Sequence, residues 1–196
     1  MQTGGMSEDP RALRSRRRLQ EALRALLTRE ELTDIGVAEL CREAGVHRTT
    51  FYGHYENVGN VAADMYASLL DEASAVTFLD EHSLEDLAER YVDATTSVLH
   101  GVRSERRSLR VLLASEVSLG FRRRLISRFE ERARDAIAAF RARGLDAPFD
   151  DAVAASFVSG GVVGAVLLWA DSDGEDDEAL SREIVRHMPP WWPRTA

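Results

Sequence analysis

The sequence predicts an all-α protein. In most of the chain apolar residues recur every three or four positions, as in Leu19, Leu23 and Leu26, and no segment shows the strict alternation of a half-buried strand. Residues that commonly begin helices, such as Asn57 and Ser83, precede several of these runs. The 196 residues, 44% of them hydrophobic, are enough for one or two units with a packed core.

The charge distribution indicates a local rather than a general nucleic-acid surface. All 25 basic residues are Arg, and the net charge is −8. Residues 10–60 hold nine Arg against seven acidic residues, whereas residues 61–196 have a net charge of −8. A basic N-terminal part on an acidic body is typical of a protein that binds DNA through one small surface.

The first predicted helix, residues 11–29, buries a stripe of leucines and carries arginines near its start. Arg16, Arg17 and Arg18 are the centre of this cluster. Cations at a helix N-terminus oppose the helix dipole, which is a small cost in stability. Two interpretations stay open: a solvated helix end, or side chains that contact DNA phosphates or the minor groove.

Residues 34–55 predict two short helices joined by a tight turn. The apolar stripe of the first consists of Val37, Leu40, Cys41 and Ala44. Gly45 follows, where a helix end favours a residue that tolerates positive φ, and Val46 is placed to pack under the turn. The second helix, predicted over residues 48–55, directs Phe51 and Tyr55 inward because they lie four positions apart. Its other face carries Arg48, Thr49, Thr50, Tyr52, Gly53 and His54. This is the arrangement of a helix-turn-helix.

The run Ala44-Gly45-Val46, four further residues, and Phe51-Tyr52-x-His54-Tyr55 resembles the recognition segment of the TetR family of bacterial repressors. The resemblance covers about residues 11–75 and implies four parts of the chain. These are a disordered N-terminus at 1–10, a three-helix DNA-binding domain at 11–58, a helical ligand-binding and dimerisation domain at 59–190, and a tail at 191–196.

The resemblance also implies roles for individual side chains. His47 takes the N-cap place of the recognition helix, Arg48 and Thr49 meet base edges, and Gly53 permits only a backbone approach to DNA. Thr50, Tyr52 and His54 match positions that contact phosphates, although a hydrogen bond of His54 that only fixes the helix is an alternative. Val58 departs from the family, which commonly has Lys there, and Glu56 adds a negative charge beside it.

Further helices follow from local signals. Asn57 is a good N-cap for the helix predicted over residues 61–78, which links the two domains. Asp34 is a candidate N-cap for the first helix of the helix-turn-helix. Ser83 and Asp86 predict a capping box for a helix ending at Gly101. Helices are also predicted over residues 104–114, 118–143 and 178–188, the last after a solvated acidic loop at 171–178.

Residues 152–170 carry no charge and predict a fully buried helix. Ala152, Ser156, Gly160 and Gly164 stand at successive i+4 positions, so a second helix can approach closely along this ridge, which we assign to a dimer interface. A membrane span is the weaker alternative, because the segment is rich in small residues and has acidic flanks. Trp191 and Trp192 either pack back on the body or contact a dimer partner.

Together these features predict a cytoplasmic, homodimeric transcriptional repressor that binds a palindromic DNA operator and is released by a small-molecule effector. Tyr91, Thr95 and Trp169 are candidate pocket residues, with plain core packing as the alternative. We expect no enzyme activity, cofactor, metal site or membrane association. The single cysteine excludes an intramolecular disulfide. A helix-turn-helix protein that has lost DNA binding and serves as a ligand- or protein-binding module is the alternative function.

Overall fold

A computed structural model describes residues 10–76, 83–145 and 150–194. Within these ranges the protein is helical and has no strand, which confirms the all-α prediction. The helices are α1 (Pro10–Leu27), α2 (Val37–Ala44), α3 (Arg48–Tyr52), α4 (Val58–Ala73), α5 (Leu84–Ser104), α6 (Arg106–Ala114), α7 (Ser118–Ala142), α8 (Asp151–Asp171) and α9 (Asp177–Arg186). The predicted disordered N-terminus, residues 1–10, lies outside the described residues except for Pro10, which begins α1. The helix predicted over residues 61–78 instead runs over Val58–Ala73, so its predicted continuation through residues 74–76 was wrong, and residues 77 and 78 lie outside the described ranges.

Helices α1–α4 form the N-terminal unit around one apolar core. Leu19, Leu23 and Leu26 of α1 are fully buried, as are Leu40 of α2 and Phe51 of α3. This core continues along α4 into the body, because α4 also packs against α5 and α7. The predicted domain boundary between residues 58 and 59 therefore lies in the first turn of a helix that both parts share.

The body is a bundle in which α8 packs most extensively against α7, and α5 packs against both α8 and α9. A second, smaller core is formed by residues of α5, α7 and α8 together with Trp192. Phe140 and Trp192 meet there edge to face, with ring centroids 5.0 Å apart, and Tyr91 lies 4.9 Å from Trp192. Trp192 is thus packed on the body, which was the first of the two alternatives for this residue.

Several helix ends confirm the local signals. Asn57 Oδ1 accepts a hydrogen bond from Asn60 N at 2.9 Å, and Ser83 and Asp86 form the predicted capping box. Asp34, however, does not cap α2, whose N-cap is Gly36 without a side-chain hydrogen bond. Helix α5 also continues past Gly101 to Ser104, so the prediction that Gly101 ends it was wrong. A glycine costs a helix only about 1 kcal/mol, and the surrounding packing offsets that.

Two predictions about α8 and the following loop need correction. Helix α8 is not fully buried, since Val153, Phe157 and Leu168 are between 68% and 70% exposed in the single chain. The acidic loop is also not entirely solvated. Asp177 is 8% exposed and lies 2.8 Å from Arg103 Nη2, so the first residue of α9 forms an ion pair with α5.

Candidate nucleic-acid interface

The turn between α2 and α3 has the backbone geometry that the sequence predicts. Gly45 lies in the left-handed region with φ 58° and ψ 39°. Its amide donates to Arg42 O at 3.2 Å, and the amide of Val46 donates to Cys41 O at 3.0 Å, so the free carbonyls at the end of α2 are satisfied. Val46 is buried under the turn, and burial raises the pKa of the Cys41 thiol, which makes it a packing residue rather than a nucleophile.

Replacing Gly45 by Ala is expected to lower the free energy of unfolding by about 1–2 kcal/mol, because a side chain is strained in the left-handed region. A Cβ at Gly45 would also lie 2.5 Å from Arg18 Nη2, which must move aside. Gly36→Ser is the matched control: nothing lies within 4 Å of its Cβ, and Ser is a good N-cap. Urea denaturation measures both, and equal stabilities for the two variants would contradict the assignment.

Helix α3, the predicted recognition helix, is held by its aromatic residues and leaves its polar face exposed. Phe51 is fully buried and Tyr55 is 5% exposed, which confirms their inward direction. Tyr52 is 60% exposed. The other residues of the polar face are exposed at His47, Arg48, Thr49 and Gly53 and half-buried at Thr50 and His54. The backbone amide of His54 donates to Phe51 O, and both roles predicted for its half-buried side chain stay predictions.

Helix α3 ends at Tyr52, three residues earlier than predicted. The amides of His54 and Tyr55 both donate to Phe51 O at 2.9 Å, so the chain turns out of the helix there. Tyr55 reaches the core through this turn rather than by helical spacing. Its ring centroid lies 6.2 Å from that of Phe51.

The arginines of α1 divide into two kinds. The guanidinium of Arg16 lies over the Tyr55 ring, with Cζ 5.8 Å from the centroid, and that of Arg18 covers the turn at Gly45. Both therefore lie beside the helix-turn-helix. Arg17 instead points to Glu21 on the same helix, at 3.1 Å, in an exposed pair that partly neutralises its charge.

A polar network behind α3 was missed by the sequence analysis. The Tyr55 hydroxyl donates to Asp64 Oδ2 at 2.8 Å, and Gln20 Nε2 donates to the same oxygen at 3.2 Å. Burial and the neighbouring carboxylate raise the pKa of Tyr55, which therefore stays a neutral donor. The network ties α1 and the end of α3 to α4, and its only sequence signal is an Asp within an otherwise apolar part of α4.

The two departures from the family pattern have different structural consequences. Val58 is 8% exposed and belongs to the core, so it stabilises the start of α4 and presents no cation to DNA. Glu56 is exposed four residues after the end of α3. With Val58 in place of a cation and Glu56 exposed beside it, the candidate interface carries less positive charge than the family pattern implies.

A cavity of about 60 Å³ lies in the body between α5, α7, α8 and the C-terminal segment. Two of the candidate pocket residues, Tyr91 and Thr95, line it together with Phe129, Arg132 and Trp192. Trp169 does not. Its Nε1 donates to Leu99 O at 3.1 Å, and Arg106 lies over its ring at 5.2 Å, so it is a structural residue.

Between Asp151 and Asp171, which are exposed at its two ends, the exposed face of α8 carries no charge. Ala152, Ser156, Gly160 and Gly164 are all exposed, and around Gly160, Gly161 and Gly164 an added Cβ would meet nothing within 4 Å. The helix has the length and mean hydropathy, 1.9, of a membrane span. Its other face, with Val158 and Val166, is part of the body's core.

No protein-family model and no curated protein sequence matches this chain. Solved structures do match it. RolR without ligand aligns with a TM-score of 0.62 and 17% identity over 88% of this chain and 89% of RolR, and RolR in complex with resorcinol aligns with 0.57 and 20% over 92% and 90%.

The TetR-family repressor AlkX from Dietzia sp. strain DQ12-45-1b, implicated in biodegradation of n-alkanes, aligns with a TM-score of 0.61 and 15% identity over 96% of this chain and 97% of AlkX. A TetR-family transcriptional regulator from Pectobacterium atrosepticum aligns with 0.55 and 19% over 91% and 92%. These alignments include the helix-turn-helix and the body together. The chain therefore has the fold of the TetR-family repressors.

Proposed function

We propose that this protein is a homodimeric, ligand-responsive transcriptional regulator, in its simplest form a repressor, that binds a palindromic operator in double-stranded DNA. The main support for DNA binding is the exposed polar face of α3. Arg48, Thr49 and Tyr52 point outward there, and Phe51 is fully buried behind them. A short helix seated in this way presents its side chains to a major groove. Such a regulator works in the compartment that holds the genome, which is the cytoplasm of a bacterial cell.

The dimer is supported by the exposed face of α8. A continuous apolar stripe that includes Phe157 and Leu168 is unfavourable against water and is typical of an interface. A two-fold axis lets the same surface serve both partners, and the glycines permit close approach of two helices. We interpret α8 in this way rather than as a membrane span, since its opposite face is packed in the body's core.

The effector is supported by the cavity in the body. It is lined by residues of α5, α7 and α8, the last of which we assign to the dimer interface, and RolR, which has a similar fold, has been solved with resorcinol. A ligand that binds one spacing of the two recognition helices better than another shifts the equilibrium towards it.

Selection of bound sequences from a random double-stranded DNA pool tests the function. We expect enrichment of a palindrome whose half-site centres lie about 34–36 Å apart, or a multiple of that distance. An enriched single asymmetric site would contradict the dimeric arrangement.

A second candidate function is a ligand- or protein-binding module that has lost DNA binding. The exposed Glu56 and the buried Val58 favour it, because both lower the positive charge beside α3. Failure of any DNA sequence to be enriched, by a protein that is folded and dimeric, would favour this candidate and overturn the first.

Arg48 and Tyr52 are expected to contribute differently to DNA binding. Arg48→Ala removes a base contact, so it should cost about 1–3 kcal/mol per half-site and relax the preference at one base pair. Tyr52→Phe removes only a hydroxyl from an exposed ring, so it should weaken all sequences alike. Fluorescence anisotropy with a set of operator variants measures both, and a changed ranking of sites with Tyr52→Phe alone would show that the assignment is reversed.

A further inference from the structure

The cavity in the body is lined almost entirely by apolar and aromatic groups, and its single charged side chain is Arg132. Among its lining residues in the described chain there is no carboxylate. Arg132 comes from α7 and its Nε donates to Asp71 Oδ1 of α4 at 2.9 Å. The charge of Arg132 therefore lies at the boundary between the cavity and the helix that leads to the DNA-binding unit.

The other hydrogen-bond donors of the cavity lining differ in whether they have an acceptor. The hydroxyls of Thr95 and Ser159 donate to carbonyls of their own helices, Tyr91 O at 2.7 Å and Ser156 O at 3.1 Å. Trp192 is 3% exposed, and its Nε1–H has no acceptor among the described residues. An indole N–H can only donate, so together with the guanidinium of Arg132 it favours a ligand that accepts hydrogen bonds.

The size of the cavity limits the ligand. About 60 Å³ is less than the roughly 150 Å³ of an engineered cavity that takes up benzene. One ring or one short chain can enter if the flexible side chain of Met188, which lines the cavity, moves aside. The side chain of Arg132 is 38% exposed, so water screens part of its charge, and the apolar walls on the cavity side reduce that screening for an anion beside it.

We propose that the cavity binds a small carboxylic acid with an apolar body, as its carboxylate, and that this carboxylate competes with Asp71 for Arg132. The acid is then the effector of the regulator proposed above. Its regulatory role rests on that proposed function, but its binding to the cavity is independent of it.

A chain of charged groups joins this site to the recognition helix. Asp71 lies 3.6 Å from Arg128 Nη1, and Arg128 Nη2 lies 3.9 Å from Asp64, which accepts the hydrogen bond of Tyr55. When the acid pairs with Arg132, the carboxylate of Asp71 loses its closest cation and attracts Arg128. Arg128 then moves away from Asp64, which changes how the Asp64–Tyr55 hydrogen bond positions α3. By linkage, operator DNA weakens acid binding by the same factor.

The test measures binding of benzoate, phenylacetate and hexanoate, and of their uncharged amides, to the full chain without DNA. Isothermal titration and the shift in Tm are the readouts. We expect at least one acid to bind about tenfold or more tightly than its amide, a difference that a charge-assisted contact supplies. Arg132→Gln should remove this preference, Arg132→Lys should keep most of it, and Asp71→Asn should tighten acid binding because Arg132 loses its competitor.

Arg134→Gln is the matched control, since Arg134 lies on the same helix, pairs with Glu130 and does not line the cavity. It should leave the preference unchanged. Amides that bind as well as acids, no binding by any of the three acids, or a preference that survives Arg132→Gln would each overturn the proposal. Acid binding by a protein that selects no DNA would support this site and contradict only the regulatory function. Selection of DNA without acid binding would contradict only this site.

Discussion

Phe51→Ala is expected to lower the free energy of unfolding by about 3–5 kcal/mol, the usual cost of emptying a buried aromatic site. Phe51 is fully buried among α1, α2 and α4, and its ring meets Tyr52 edge to face at 5.3 Å and Tyr55 at 6.2 Å. The site has little means to collapse, because the helix that carries Phe51 has only five residues and its ends are fixed by the Gly45 turn and by Tyr55. DNA binding should be lost together with stability.

Tyr52→Ala is the matched control for this experiment. Tyr52 is the next residue of the same helix and is 60% exposed, so its removal should change stability little while it weakens DNA binding. Urea denaturation of both variants at one fixed protein concentration separates the effects, since the stability of a dimer depends on concentration. If Phe51→Ala costs no more than Tyr52→Ala, the inward face of α3 has been assigned wrongly.

Gly160→Leu is expected to separate the dimer without unfolding the chain. An added Cβ at Gly160 meets nothing within 4 Å in the single chain, so the folded protomer accepts a side chain there. In the proposed dimer a two-fold axis places two such side chains between closely packed helices. Overpacking costs about 1–3 kcal/mol at each, so the dissociation constant should rise by about one to four orders of magnitude.

Sedimentation velocity over a range of concentrations measures this change. Ala138→Leu, which adds an apolar side chain to an exposed position of α7, is the control for a nonspecific effect of surface leucine. The separated protomers should also lose affinity for the palindromic operator, because each then binds through one half-site. A Gly160→Leu protein that remains dimeric at nanomolar concentration would show that α8 is not the interface.

The all-α fold and the core of the helix-turn-helix could be predicted from local patterns of residues. Gly45 has the predicted positive φ, and Phe51 and Tyr55 are buried where the pattern places them. Local signals are sufficient here because the stripe, the turn and the caps are set by residues within one or two helical turns of one another. The same reason explains the capping box of Ser83 and Asp86.

Contacts between helices that are distant in the sequence could not be predicted in this way. The hydrogen bond from Gln20 to Asp64 joins residues 44 positions apart, and that from Arg132 to Asp71 joins residues 61 apart, so no local period contains them. The end of α3 at Tyr52 and the continuation of α5 past Gly101 likewise depend on packing that outweighs propensity.

The burial of α8 likewise could not be predicted from its composition. Its uncharged composition predicted a fully buried helix, yet only the face with Val158 and Val166 meets the body. Composition records that a residue favours an apolar neighbour, but whether that neighbour belongs to the same chain depends on the positions of all the other helices. For this reason the sequence indicated the helix and its ridge of small residues, and the fold alone left that ridge exposed.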